Sequence, residues 1–458
     1  KDDPTSIGKF GVGFKAVFAY TATPIIHSGK YHFKIRDYFV PEFRDVEKVR
    51  TTDSDGVPWT KFSFPFNNPK KPASTAYEEC LEGLIALDSS AILFLQNIKK
   101  IEYMLPLGDY GYVVRNDKDS HHVTVAYQTP TGKDKVISDW LRFCKSINIV
   151  DDQGKTKELS IAVAFALTYD SRYKQEKITS VKGGGRTFIY FPAEKEHSGL
   201  RFHINAPFAS TVARDSVRSC ADNVKLIRAI AELINESLPE IKEQGLMNHS
   251  FFEVLPHNKD ELSIFYQYVF DYIYTAFQKN EYIPTRNGGY TSAQNALAGP
   301  VSISNVFNEN AMQKLFNIQK TWIVNAAQKN SHVDNFIKSL DIETFTFEDF
   351  TQIFEPSARE NTEYFLKGRK NNWLKSFYAL CADVYDDLGC YDFLWNMQQT
   401  LAIRSTMGEM HRSSEIFILP INESLMTRGT PIVEPMFVYP AKKGEKICDK
   451  IRYFFREE

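Results

Sequence analysis

The feature that most constrains this chain is a change of hydrophobic period part-way along it. Up to about residue 245, apolar residues alternate in short period-two runs separated by glycine turns. Beyond Asn258 they recur at helical spacing, in stretches rich in Phe and Tyr. The pattern predicts an α+β fold. The 458 residues exceed what one hydrophobic core usually organises, so two to four domains are expected. We place boundaries near residues 105 and 245, giving segments 1–105, 106–245 and 246–458.

Local patterns refine this. PIIHSGKYHFKI reads as a hairpin around Ser28-Gly29-Lys30, and TKFSFPF as a strand turning Phe62, Phe64 and Phe66 inward. Thr75 to Leu87 reads as a helix; AILFL and KKIEYML read as two strands. From Gly108 to Leu167 short strands are expected around one helix, Ile137 to Ser146. The stretches VKGGGRTFIYFP and LRFHINAPF follow as strands. Arg214 to Glu243 reads as a long amphipathic helix, with further helices at Leu262–Phe277, Ala311–Ala327 and Glu360–Tyr385. No short-period repeat of the solenoid kind is visible.

Composition limits the function classes. Hydrophobic residues at 43% and charged residues at 24% are ordinary for a globular protein. With 55 Lys and Arg against 57 Asp and Glu, the net charge is −2, so nucleic-acid binding is not indicated. Six scattered cysteines without a CxxC pair argue against a zinc site and for a reducing compartment. The longest apolar run, Ile161 to Leu167, is strand-sized, so no membrane span is expected. The opening KDDPTS lacks both the order of a signal peptide and an initiator Met. The expectation is a cytoplasmic chain that begins inside a longer polypeptide.

SIGKFGVGFKAVF, at Ser6 to Phe18, carries the most chemistry. Three glycines in six residues, leading into a helix, bring several backbone N–H groups near one anion, and Lys9 and Lys15 add charge. It is not a P-loop, because Phe14-Lys15-Ala16 stands where Gly-Lys-Ser/Thr is required. Read as residues alone, it is either an anion cradle or a structural turn with a helix cap.

Ile7-Gly8-Lys9-Phe10-Gly11-Val12-Gly13-Phe14 resembles the second glycine box of the GHKL (Bergerat-fold) ATPases, of the sacsin and ninety-kilodalton heat-shock chaperone type. The resemblance implies a partial Bergerat α/β sandwich, an α+β transducer-like middle domain and a mainly helical carboxyl-terminal region. It implies that Ser6, Gly8, Lys9, Phe10, Gly11, Val12, Gly13 and Phe14 close the phosphate end of an ATP site. Trp59-Thr60-Lys61-Phe62 sits where the family has Gly-Thr before a strand, so Thr60 would face the nucleotide, with Trp59 replacing the Gly. GLRFHINAPFASTVARDSVR resembles the loop that sends an arginine to the γ-phosphate, and Arg214 takes that position. YIPTRNGGYTSAQNAL is similar to a recurring sacsin segment, so the resemblance covers roughly the first 300 residues. An arginine there offsets charge developing on a transferred phosphoryl group. From the residues alone, Arg214 paired with Asp215 at a helix start is the competing reading.

The family also uses a helix with a Glu that activates water, an Asn that holds Mg²⁺, and an Asp-x-Gly-x-Gly box that reads adenine. All three precede the glycine box, and only seven residues precede Gly8 here. The resemblance therefore implies a module cut at its lid, with ATP and Mg²⁺ as cofactors of the complete protein and little hydrolysis by this chain alone. Three functions stay open: a nucleotide-dependent conformational machine with a protein client or a microbial defence partner, a non-enzymatic scaffold, and a DNA-coupled ATPase. A homodimer is compatible with each.

Other candidates read as structural. Lys182-Gly183-Gly184-Gly185-Arg186 is a hairpin loop before it is an anion nest. His121-His122 and His27/His32 lack metal-ligand spacing and read as strand-surface residues, and no metal site is expected. His203 reads as buried and hydrogen-bonded. The run Lys442 to Lys446 reads as a solvated turn, and the aromatic stripes beyond residue 258 as core.

Overall fold

The computed structural model describes residues 14–44, 46–87, 90–106, 108–129, 135–150, 156–172, 174–211, 214–418, 430–439 and 446–457. The fold is α+β, as the sequence predicts. The chain divides into two compact units, residues 1–246 with 253–273, and residues 247–252 with 274–458.

The first unit opens on a 3₁₀ helix, Phe14–Ala19, and a four-stranded antiparallel sheet. Its strands are β1 (Ile25–Ser28), β2 (Tyr31–Arg36), β3 (Val40–Glu42) and β4 (Thr60–Ser63), in the order β3-β2-β1-β4. The hairpin read around Ser28-Gly29-Lys30 is present, with Ile26 opposite Phe33 and Ser28 opposite Tyr31. Register puts Ile26, Phe33 and Phe62 on one face. The expectation that the Phe62–Phe64 side points inward is corrected: Phe62 is 50% and Phe64 38% exposed. The expected strand is also too long: β4 ends at Ser63, so Phe64 and Phe66 lie beyond it, and Phe14 covers Phe62 and Phe64 only in part. Helix α1 (Ala73–Ile85) follows, close to the expected span.

A nine-stranded sheet makes up most of this unit. Strands β5 (Lys100–Met104), β6 (Tyr110–Asp117), β7 (His122–Gln128), β8 (Val136–Val150) and β9 (Thr156–Asp170) run as an antiparallel meander. Beyond them β10 (Gln175–Thr179) pairs with β9, while β11 (Thr187–Ile189), β12 (Phe191–Pro192) and β13 (His203–Asn205) complete the path β12-β11-β13-β9. The helix expected over Ile137–Ser146 is instead the first part of β8, a 15-residue strand. Trp140, Leu141 and Phe143 are buried there, and beyond Phe143 exposure alternates residue by residue, the signature of a half-covered strand.

AILFL is not a strand either. Ala91 to Phe94 form a turn, and Ala91 to Leu95 are all buried. Five consecutive apolar residues tolerate this because two arginines reach their carbonyls: Arg115 donates to Ile92 O at 2.9 Å and to Leu95 O, and Arg142 to Leu93 O at 2.7 Å. Asp117 lies 3.2 Å from Arg115 and 3.0 Å from Arg142, with Lys99 also at 3.2 Å. Burial works against its carboxylate, but Arg115, Lys99 and Arg142 hold its pKa below the usual value.

The glycine loop of residues 182–186 is structural, but the expected hairpin is corrected: the loop connects β10 to β11, which pair with β9 and with β12 and β13 and not with each other. The N–H of Gly184 is bonded to Val181 O at 3.0 Å and that of Gly185 to Leu200 O at 2.7 Å, so neither is left for an anion. Helix α2 (Ala221–Glu243) lies on β8 and β9 and buries Leu226, Ile227, Ile230, Leu233, Ile234 and Ile241. It starts at Ala221 and not at Arg214 as expected.

The second unit is largely helical around an aromatic core. Phe307, Phe350, Phe354, Phe377 and Tyr378 are fully buried, and Trp373 stacks on Phe377 at 5.4 Å, so the aromatic stripes are core. Leu262–Phe277 is matched by the helix Ile264–Lys279, of which residues up to Ile273 belong to the first unit. The expected helix Ala311–Ala327 stops early: it runs Glu309–Phe316, and Asn317 ends it in the left-handed conformation, φ 56°. Glu360–Tyr385 is two helices, Arg359–Lys367 and Asn371–Leu388, parted after Gly368. Small hairpins at Ile283–Thr291 and Ile403–His411 interrupt the helices.

Candidate functional site

Of the glycine box, Ser6, Gly8, Lys9, Phe10, Gly11, Val12 and Gly13 lie outside the described residues. Phe14, its last member, opens the 3₁₀ helix and packs its ring 6.2 Å from Phe62, 6.4 Å from Phe64 and 6.3 Å from Phe18. Thr60 opens β4, and its hydroxyl is 2.8 Å from that of Ser28, its register partner on β1. Trp59 precedes it, 38% exposed, with its N–H bonded to Thr51 O at 2.8 Å.

Arg214 sits on a hairpin whose described segments are residues 209–211 and 214–218. Arg218 N–H donates to Ala209 O at 2.9 Å, Ser210 bridges Val217, and Thr211 N–H donates to Ser216 O at 3.2 Å. Arg214 is at the tip, with its N–H on Thr211 O at 3.1 Å and φ of 60°. A non-glycine residue in that region costs on the order of 1 kcal/mol, so the surroundings must hold it there.

Those surroundings are visible. At the neck, the buried Asn223 of α2 accepts from Ala209 N–H at 2.8 Å and donates to Ala209 O at 2.8 Å and Arg218 O at 2.7 Å. On the shaft, Glu196 accepts from Val217 N–H at 2.7 Å and from the Tyr266 hydroxyl at 2.8 Å. Tyr266 is fully buried and also meets Thr187 at 3.0 Å; burial, chiefly, raises its phenol well above the ordinary range. Near the tip, Lys195 holds Asp215 at 2.6 Å and Thr211 donates to it at 2.7 Å. These two hydrogen bonds, the lysine's first, hold the Asp215 carboxyl down to about 2.

The competing reading, Arg214 neutralised by Asp215, is therefore corrected: Lys195 and Thr211 take that carboxylate. Among the described residues Arg214 forms no ion pair and no side-chain hydrogen bond, and the same holds for the exposed Arg218. The hairpin thus presents two guanidinium groups without carboxylate partners on a backbone fixed at neck, shaft and tip. Such an arrangement suits a bidentate oxyanion such as phosphate. No hydrogen bond or ion pair among the described residues joins Thr60 or Phe14 to this hairpin.

The histidines divide. His203 is 3% exposed and accepts from Arg186 N–H at 3.0 Å, as read from the sequence. His122 meets Asp119 at 2.8 Å and His121 meets Glu240 at 3.2 Å. His27 is not a surface residue: it is 5% exposed, with its Nδ1 3.1 Å from Nδ1 of His32. One of those nitrogens must be unprotonated for the bond to exist. Burial first, then the charges of His32 and Lys61, lower the pKa of His27 below 6.5. A histidine kept neutral by folding binds more protons when unfolded, so its contribution is complete above about 6.5 and is lost as pH falls through the folded value. Acidification from pH 7.5 to 5 is expected to lower the urea midpoint of the four-stranded sheet. A His32→Gln variant is expected to flatten that dependence, and an unchanged slope would contradict the pairing.

Comparison with known proteins adds a distant relationship. The chain is 28% identical over 232 residues to Protein NO VEIN of Arabidopsis thaliana, covering 46% of this chain and 8% of that protein. It is 21% identical over 299 residues to sacsin of Homo sapiens, covering 48% of this chain and 6% of sacsin. The chain thus spans less than a tenth of the length of either relative. No family model and no solved structure matches. No described helix is long and apolar enough to cross a membrane.

Proposed function

We propose that this chain is the carboxyl-terminal part of a nucleotide-driven, sacsin-like conformational module of the GHKL type. One observation carries the proposal: Arg214, without an ion-pair partner among the described residues, stands at the tip of a hairpin that Asn223, Glu196 and Lys195 hold in place. A backbone held in advance leaves only the arginine side chain to be ordered when it meets an oxyanion, and this favours transition-state stabilisation. The similarity to sacsin over about half the chain supports the same direction.

In this reading the backbone of Gly8 to Phe14, with Ser6 and Lys9, cradles the phosphates, and Thr60 contributes a hydroxyl from β4. Arg214 meets the γ-phosphate and so couples nucleotide state to the position of the hairpin. Bound ATP supplies a phosphoryl group on which negative charge builds during transfer, and Mg²⁺ would be held by residues upstream of the glycine box. The work done, on a protein client or in a defence system, belongs to the whole protein. The test is Mg-ATP turnover by a polypeptide that joins residues 1–458 to the proposed upstream Glu/Asn helix and Asp-x-Gly-x-Gly box. Turnover in that polypeptide and none in residues 1–458 is expected; none in either would overturn the reading.

A scaffold without turnover is favoured by a different observation. Trp59 stands in place of the family's Gly beside Thr60, and the Phe62–Phe64 face is open to solvent. Under that reading the joined polypeptide binds partners but not ATP.

A further inference from the structure

The second unit contains one small module twice. The hairpin pairing Ile283 with Thr291 and Pro284 with Tyr290 is matched, 120 positions later, by Ile403 with His411 and Arg404 with Met410. Both turns use a left-handed glycine, Gly288 at φ 85° and Gly408 at φ 84°. Both are closed alike, by Thr285 N–H on Gly289 O at 2.9 Å and Ser405 N–H on Glu409 O at 2.8 Å. A 3₁₀ turn follows each, Ala293–Asn295 and Ser413–Glu415, again at the same offset.

The correspondence extends to the next pairing. Leu297 pairs in parallel with Trp322, and Phe417 in parallel with Ile432. Ile323 N–H donates to Leu297 O at 3.1 Å, and Val433 N–H to Phe417 O at 3.0 Å. Val324 N–H donates to Pro284 O at 3.0 Å, and Glu434 N–H to Arg404 O at 3.1 Å. Bond-for-bond agreement of this kind identifies Phe417 as the counterpart of Leu297.

Among the described residues the copies differ in the length of chain between the paired segments, Leu297 to Trp322 against Phe417 to Ile432, and at the other edge of this pairing. In the first, the other edge of the central strand is taken by a third parallel strand, Glu343–Thr344, with Leu297 opposite Glu343 and Phe345 N–H on Ala298 O at 2.8 Å. Leu297 is then fully buried, with Ile342 and Phe345 buried beside the strand. In the second copy no described residue pairs with that edge, and Phe417 is 61% exposed although its neighbour Ile416 is buried. An aromatic side chain beside an open strand edge is a place for strand addition.

We propose that the edge at Phe417, with which no described residue pairs, takes a third, short parallel strand, supplied in cis by polypeptide following the helix Lys446–Glu457. Its chemistry is given by the first copy: an apolar residue, two polar residues and an aromatic, as in Ile342-Glu343-Thr344-Phe345. The first copy also supports the source, because its third strand begins four residues after the helix His332–Ser339 ends. The proposal stands independently of any nucleotide function.

The test appends the sequence of residues 340–347, LDIETFTF, after Glu458, with a scrambled octapeptide as control. Amide exchange is then read on the peptide spanning residues 413–418. The true extension is expected to slow exchange there at least about tenfold, and the scrambled one to leave it unchanged. Phe417→Asp in the extended chain is expected to abolish the protection, while exchange at the distant helix Asn371–Leu388 reports that the unit remains folded. Unchanged exchange with the true extension, or equal protection by the scrambled one, would overturn the proposal.

Discussion

Replacing Arg214 with Ala is expected to lower Mg-ATP turnover of the joined, nucleotide-competent polypeptide by about a thousandfold or more, with affinity for ADP unchanged. The expectation rests on where the side chain is and on what it lacks. Asp215 is already satisfied by Lys195 and Thr211, so among the described residues the arginine carries no structural ion pair whose loss would unfold the hairpin. For the same reason Arg214→Ala and Arg214→Gly are each expected to stay within about 0.5 kcal/mol of the parent in urea unfolding. Glycine suits the φ of 60° better than arginine does, but it gains freedom in the unfolded chain, and the two effects offset. A variant that folds normally and turns over ATP as the parent does would remove Arg214 from the site. Arg214→Lys separates charge from geometry: a lysine keeps the charge but not the planar fork, so most of the loss is expected to remain.

The second large effect is on stability. Gly185→Ala is expected to cost the first unit about 3 kcal/mol or more. A Cβ at Gly185 would lie 2.1 Å from Phe202 O and 2.7 Å from Phe202 N and C. These are backbone atoms, on a buried residue whose ring packs 4.9 Å from Phe165, so they cannot swing aside as a side-chain tip would. Relief would require breaking the bond from Gly185 N–H to Leu200 O, which lies where the chain leads into β11 and β13. Gly183→Ala is the control. No atom lies within 4 Å of its would-be Cβ, and only the φ of 79° opposes the change, at about 1 kcal/mol. Equal urea midpoints for the two variants would contradict the close approach at Gly185.

Where the sequence was legible, one period governed a whole element. The β1–β2 hairpin and most of α2 follow from alternation and helical spacing, because each buries one face against a single layer. Ile137–Ser146 was misread because Trp140, Leu141 and Phe143 mimic helical spacing; the alternation beyond Phe143 carried the better signal. AILFL was misread for a different reason. Its carbonyls are satisfied by Arg115 and Arg142, far away in the chain, and no local pattern announces that. The start of α2 was misplaced because the hairpin of residues 209–218 is tied by Glu196 and Asn223, again partners at a distance. The site divides likewise. Arg214 is singled out only by resemblance, and no local pattern shows that Asp215 goes elsewhere, since Lys195 claims that carboxylate from twenty residues upstream. The duplication was missed because its spacing lies far outside the short periods sought, and because few residues are identical between the copies.

Under the proposed function, residues 1–458 would supply the phosphate end and the arginine of a nucleotide site, and the adenine and Mg²⁺ ligands would come from upstream. Calorimetric titration of a non-hydrolysable Mg-ATP analogue tests it most directly, into residues 1–458 and into the polypeptide extended by the proposed upstream helix and adenine-reading box. The account expects no detectable heat of binding for the first and saturable binding for the second. Tight binding to residues 1–458 alone, or none to the extended polypeptide, would contradict it.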